Sequence, residues 1–406
     1  MTVTAPRPGL RSVLSRPGYR RLWAARTVSQ CGDVAQFTTM ALLVVHLTGS
    51  ALGVSGAVVA EIAPVLLLAP LAGPLVDRLP RVRIMVGADV LRLMLAATLA
   101  LWHSDVVVVY AVAFGLSAGS VFFSPAAGSV LPSVVGDDEL AAANSGIWSA
   151  AVLAQVVLAP VAGVVATTAG FGWAFALNAI SFAVSAALLR GLRSQERPPP
   201  AATGSMWEQG REALGLLARD RLLRALALAQ GLAALSAGAT SALLVVLATD
   251  RLAHSGGGYG LMLASIGAGA FLGPLLLGRL LQNARRGPII FGAFGLRGLV
   301  DVTLATVTSL PAAIGPLLAY GLGTSAGNIS FSSLIQSHVP AGMRGRVFSA
   351  FDLIWQSMRL VSLLAGGLLA DALGIRAVYY IGGILLITAA LAGLGSARWQ
   401  AIGPKT

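Results

Sequence analysis

Of the 406 residues, 56% are hydrophobic and only 11% charged, and the mean hydropathy is +0.81. So apolar a chain lacks the polar surface a soluble globule needs, which excludes that class and indicates a protein that crosses a lipid bilayer many times. The formal charge of +12 would suit nucleic acid, but the Arg residues sit in short segments between apolar runs rather than on one continuous face, so no nucleic-acid partner is expected.

The basic N-terminal stretch from Arg7 to Arg26 has the charge of a signal-peptide head. No small-residue cleavage site follows before Gln30 and Asp33, so it reads as a retained cytoplasmic segment. A membrane span needs about 20 apolar residues, and punctuation by Arg clusters, Gly and Pro gives about twelve of them: 22–47, 52–76, 84–103, 106–131, 140–168, 172–190, 222–249, 257–280, 287–308, 311–338, 347–371 and 375–396. The chain is therefore expected to be an all-α membrane protein. Lone Cys31 lies inside the first span, so no internal disulfide exists, and no Cys/His cluster has metal-ligand spacing. Neither metal nor cofactor is expected.

Between the second and third spans lies a charged hairpin, Gly73-Pro74-Leu75-Val76-Asp77-Arg78-Leu79-Pro80-Arg81-Val82-Arg83. Its opening recurs 200 residues later as Gly273-Pro274-Leu275-Leu276-Leu277-Gly278-Arg279-Leu280. Ala41-Leu42-Leu43-Val44-Val45 recurs as Ala242-Leu243-Leu244-Val245-Val246, Arg20 falls opposite Arg221, and Leu131-Pro132 falls opposite Val339-Pro340. Several matches at nearly one offset, in order, indicate two duplicated six-span halves. The longest break in hydrophobicity separates them: an N-terminal half over 1–192, a cytoplasmic linker over 193–220 stiffened by Pro198, Pro199 and Pro200, and a C-terminal half over 221–406. Within the linker, Trp207 to Leu217 mixes apolar and charged residues in a way that suits a short interfacial helix, with a solvated loop as the alternative. Parallel duplication implies a binding site near the midplane between the halves and transport by rocking one against the other.

With both termini placed in the cytoplasm, Arg251 and Arg376 are the basic residues left in outer loops, and Arg92, Arg297 and Arg359 fall within spans; the rest of the 28 lie inside. Such an asymmetry is what the positive-inside rule requires, and the reverse topology would invert it.

Gly73, Asp77, Arg78, Arg81 and Arg83 resemble the signature loop between the second and third helices of the major facilitator superfamily, with Pro80 in place of the usual glycine. The twelve spans, the central basic loop and the half-length repeat extend that resemblance over essentially the whole chain. Arg16-Pro17-Gly18-Tyr19-Arg20-Arg21-Leu22-Trp23, then Ser29-Gln30-Cys31-Gly32-Asp33, Thr48-Gly49-Ser50 and Arg344-Gly345-Arg346-Val347-Phe348 are similar to its bacterial drug and siderophore exporter branch. Leu158-Ala159-Pro160-Val161-Ala162-Gly163 resembles the Gly-Pro motif of proton antiporters through Pro160 and Gly163, with Ala159 where the motif has glycine. The resemblance implies a monomeric secondary transporter in the inner (plasma) membrane, exchanging protons for a small amphipathic compound. It also implies that Asp77 locks the outward-open state against the eleventh helix, held by Arg78 and Arg81. The repeat has Gly278 at the acid's position, so one strong lock is expected.

Ionisable side chains in hydrocarbon cost about 2.5–3.5 kcal/mol each on the insertion scale, which marks those inside spans as functional candidates. Asp33 falls near the middle of the first span, which lines the cavity in the resembled fold. Hydrocarbon disfavours the charged carboxylate, which suits Asp33 to take up and release a proton; the alternative is an acid tied to Arg359 or to backbone for packing. Glu61 is a second cavity candidate, and Arg359, halfway along the eleventh span, needs an anion: Asp33, Glu61 or a carboxylate or catecholate on the substrate. Asp89 with Arg92, and Arg297 with Asp301, have spacings of three and four that place opposite charges on one helix face, and both are read as structural pairs. Asp137, Asp138 and Glu139 are expected to cap the helix that starts at Leu140.

A membrane enzyme would need a clustered nucleophile, base and oxyanion donors, and no such cluster is visible among scattered His46, His103, His254 and His338. No phosphate loop for ATP exists. An importer of a sugar or lipid-like metabolite, and a sensor that moves nothing, remain alternatives; the 6% aromatic content weighs against a sugar cavity.

Overall fold

A computed structural model describes residues 10–192, 215–252, 256–283, 285–340 and 343–394, without the side chains at 70, 73, 74, 77, 137, 256 and 277–283. Among the described residues the chain is helical: α1 Leu10–Leu14, α2 Pro17–Thr48, α3 Ala51–Arg78, α4 Arg81–Leu101, α5 Val106–Val134, α6 Leu140–Thr168, α7 Phe171–Arg190, α8 Arg221–Ala242, α9 Leu244–Leu247, α10 Gly256–Asn283, α11 Arg286–Thr306, α12 Leu310–His338, α13 Arg344–Leu373 and α14 Ile375–Leu394. Eleven of these helices contain a segment long and apolar enough to cross a membrane. The twelfth long helix, α12, falls short because Tyr320, Thr324, Asn328 and Ser332 interrupt its apolar run, and those same residues line a cavity.

The expected spans match these helices with two notable differences, and the linker adds a third point. The first begins at Pro17 rather than residue 22, so Arg20 and Arg21 ride exposed on its first turn. The seventh is broken: α8 stops at Ala242, Leu243 takes φ −86° and ψ 10°, and after α9 a wide turn over Ala248–Leu252 ends the run. The interfacial helix expected from Trp207 to Leu217 lies mostly outside the described residues, and Leu217 at its end is only 4% exposed, packed into a helix core rather than lying on a surface.

The chain divides into two units, Met1–Leu43 with Ala60–Ala202 and Val44–Val59 with Thr203–Thr406. In the first, Tyr19, Leu22, Met85, Phe123, Val130 and Leu189 join one core. Its N-terminal segment is pinned to the start of α6: the Tyr19 hydroxyl donates to Ala143 O at 2.8 Å, the Trp23 indole donates to Gly146 O at 3.2 Å, and Arg16 pairs with Glu139 at 2.5 Å. Glu139 also accepts from the Ser12 hydroxyl at 3.0 Å and from the Gly136 N–H at 3.3 Å. This corrects the expected cap: Asp137–Glu139 form a 3₁₀ turn, and Glu139 reaches backward instead of closing the N–H groups of α6.

In the second unit, Asp220 does cap its helix, accepting from the N–H groups of Leu222 and Leu223 at 2.8 and 3.0 Å while bonding His338 at 2.9 Å. Small residues let its helices touch. A Cβ on Gly298 would lie 2.7 Å from Gly383 O, and one on Gly269 would lie 2.0 Å from Leu318 O, so α11 meets α14, and α10 meets α12, backbone to backbone. The stretch of chain around Gly49 (φ 58°) turns into α3, whose first N–H groups are closed by a residue distant in sequence. Asp371 of α13 accepts from the Ala51 and Leu52 N–H groups at 2.8 and 3.2 Å and from the Ser50 hydroxyl at 2.6 Å. That cap ties the start of α3 to α13, both in the second unit.

Candidate functional site

The first unit gathers charge at the centre of its helices. Asp33 stands at the middle of the 32-residue α2, about 24 Å from either end at 1.5 Å per residue, and lies within electrostatic reach of Arg92 and Asp89 of α4. Arg92 is paired with Asp89, and the two side chains are 3% and 0% exposed. The Ser185 hydroxyl of α7 donates to the second oxygen of Asp89 at 2.6 Å. The Arg92 guanidinium is sandwiched between the rings of Phe123 and Phe182, each centroid 4.5 Å away, and Gly119 leaves room for its stem. Two carboxylates and one guanidinium therefore lie within electrostatic reach of one another, and the half-buried Asp33 is the member with no hydrogen bond or ion pair among the described residues.

Close packing holds α2 in place beside this cluster. A Cβ on Gly32 would meet Asn178 Oδ1 at 2.1 Å and Ser181 Oγ at 2.2 Å, so only glycine permits that approach of α2 to α7. Buried Asn178 donates to Gln36 and accepts from Ser181 at 2.9 Å.

The second unit carries a cavity of about 500 Å³ lined by α8, α11, α12 and α13, with Arg297, Tyr320, Asn328, Phe348, Asp352 and Trp355 on its wall. Here the structure departs from the expected pairing. Among the described residues Arg297 and Asp301 make no ion pair; instead, the guanidinium donates to the Tyr320 hydroxyl at 2.9 Å and lies 4.8 Å from that ring's centroid. Asp301 Oδ2 and Arg297 Nε are buried without hydrogen-bond partners. The i,i+4 spacing allows a pair, but Tyr320, one helix away, competes for the guanidinium.

The remaining sequence candidates are dispersed. Glu61 is half-buried on α3 in the first unit, where its backbone carbonyl accepts from Ser117 at 2.5 Å. Arg359 is half-buried at the middle of α13 in the second. In the signature loop Arg78 and Arg83 are exposed and Arg81 is 9% exposed at the first turn of α4, while Gly73 and Asp77 are described in their backbone alone, within α3. Pro160 stands inside α6 and Gly163 is buried there, beside an apolar groove of about 320 Å³ formed with α2 and α7.

Sequence reasoning missed Ser185, Asn178, Gln36, Tyr320 and Asp371. Asn178, Ser181 and Ser185 carried a signal: spacings of three and four draw a polar stripe down an otherwise apolar helix. Tyr320 carried the same kind of signal, opening a stripe with Thr324, Asn328 and Ser332 at spacings of four; no comparable pattern marks Asp371, whose partners lie some 320 residues away.

Among the described residues, twelve long and largely apolar helices that carry buried charge at mid-helix are those of a polytopic membrane protein, and the match of nearly the whole chain to one family makes it a transporter of the major facilitator type. Residues 11–400 match the family described as transmembrane secretion effector, and the chain belongs to that family of the superfamily. It is 24% identical over 392 residues to macrolide efflux protein A of Streptococcus pyogenes, covering 92% of this chain and 94% of that one. It is 27% identical over 256 residues to the enterobactin exporter EntS of Escherichia coli, covering 60% of this chain and 57% of that one. Its fold is shared with the crystal structure of the nucleoside transporter NupG, with TM-score 0.74, 14% identity and coverage of 93% of this chain and 98% of that one.

Proposed function

We propose that the protein exports a small amphipathic compound, a drug, antibiotic or siderophore, in exchange for protons that enter through Asp33. The carrying observation is a carboxylate at the centre of α2, beside the buried Asp89–Arg92 pair and without a bonded partner among the described residues. Arg92 is already neutralised by Asp89, so Asp33 is the group whose charge is left to be balanced by a proton or a cationic substrate. A proton arriving from outside displaces the substrate's positive or polar group, and its loss to the cytoplasm readies the site again. The efflux activities named for two of the relatives support the direction of transport.

Around that step the proposal places the chain as a monomer in the inner membrane with both termini in the cytoplasm. Asp77 holds the outward-open state, and Arg359 and Glu61 act on the transported molecule. Coupling between two ligands is worth about 1–3 kcal/mol, or 5–150-fold in affinity. In an efflux-deficient host, Asp33→Asn is expected to remove pH-driven dye efflux while leaving energy-independent exchange; coupled efflux at the wild-type rate would overturn the assignment.

A further inference from the structure

The two units treat equivalent cations differently. Arg92 on α4 is 3% exposed, bonded to Asp89 and covered by two phenyl rings. Its charge is spent inside the protein. Arg297 on α11 is 8% exposed, is held by a neutral hydroxyl and forms part of a cavity wall. Its Nε–H has no acceptor, as is also true of the Arg92 Nε–H, and Oδ2 of the nearby Asp301 has no donor. What sets Arg297 apart is that, among the described residues, no carboxylate pairs with it while it stands on a cavity wall; a buried cation without a counter-charge is costly, which is an argument for an anionic ligand.

The walls define what that ligand is. Among the residues lining the cavity, Arg297 is the cation and Asp352, exposed on α13, is the anion. Six of the other sixteen lining residues are aromatic, among mostly small and uncharged polar ones: Phe331 and Phe351 meet edge to face at 5.0 Å and 88°, and Phe294, Phe348 and Trp355 continue that surface beside Tyr320. A volume of about 500 Å³ lies within the usual range of small-molecule sites, about 300–1,000 Å³. Flat aromatic walls favour ring-bearing ligands, and a planar guanidinium favours carboxylates and other oxyanions.

We propose that this cavity binds an aromatic anion, its carboxylate or phenolate on Arg297 and its ring against Trp355 and the phenylalanines. The Tyr320 hydroxyl holds the guanidinium at the cavity wall. The site deepens the exporter assignment by giving the cargo a chemical class, and rests on that assignment for calling the ligand a cargo.

The experiment measures equilibrium binding to the purified full chain in nanodiscs, without any proton gradient, using three probes that share one ring: 2-naphthoate, 2-naphthylmethanol and 2-naphthylmethylammonium. Wild type is expected to bind naphthoate at least tenfold more tightly than the alcohol. Arg297→Gln is expected to erase that preference while changing the alcohol's affinity less than twofold. Should Arg297→Gln alone leave Asp301 too exposed a charge to fold, Arg297→Gln with Asp301→Asn removes both charges together and is expected to give the same loss. Equal affinity of wild type for all three probes overturns the proposal, as does naphthoate binding by either variant as tight as wild type. Loss of probe discrimination with intact dependence of efflux on Asp33 removes the anion site and leaves the exporter; normal discrimination with efflux independent of Asp33 does the reverse.

Discussion

The Arg92–Asp89 pair illustrates how one residue's neighbours set its worth. Both side chains are almost wholly buried, so removing one partner strands a charge in a low-dielectric interior at about 3–5 kcal/mol, whereas replacing both by apolar groups of similar volume is near neutral. Arg92→Met is therefore expected to lower the melting temperature of the purified protein sharply, and Asp89→Leu with Arg92→Met to recover most of the loss. Equal melting temperatures for the single and double variants would show that the pair is not energetically coupled. At Arg297 the same residue type meets a tyrosine instead of its expected aspartate, and the difference follows from packing between α11 and α12, which spacing along α11 does not encode.

Helix ends carry the second kind of information. The start of α3 is closed by Asp371 from α13, some 320 residues away, and losing an N-cap costs about 0.5–2 kcal/mol. Asp371→Ala is expected to raise the labelling rate of a cysteine placed at Leu52, in a Cys31→Ser background, several-fold; an unchanged rate would mean that the cap does not restrain this end. At the start of α6, burial of Glu139 works against its charge, but the Gly136 N–H, the Ser12 hydroxyl and Arg16 together hold it below the usual carboxylate range. A carboxylate depressed in the folded state stabilises above its unfolded value of about 4.3 and loses that contribution as pH falls through the lower folded value. The melting temperature of wild type is thus expected to exceed that of Glu139→Gln at neutral pH, with the gap closing below about pH 4; a gap that is constant with pH would exclude the ionised clamp.

For the whole molecule, the distribution of basic residues sets orientation. Reporter fusions after residue 79 and within the 193–220 linker are expected to show cytoplasmic activity, and fusions after residue 104 to show external activity. The opposite pattern would invert the proposed direction of proton entry.

The sequence alone determined the class, the helix count and the positions of the intramembrane charges, because hydropathy and the cost of charge in lipid are local properties of short windows. The matched segments that suggest duplication were legible for the same reason, since a recurring offset needs no tertiary knowledge. Only the tertiary structure decided that Asp89 and Arg92 neutralise each other while Arg297 turns to Tyr320, that Gly32 admits α7, that Glu139 reaches back to Ser12 and Arg16, and that Asp371 closes α3. Each depends on which helix faces project toward one another, a property of packing between segments tens to hundreds of residues apart, and the one-dimensional pattern of apolar residues is nearly blind to it because the lipid-facing and protein-facing sides of these helices are both apolar.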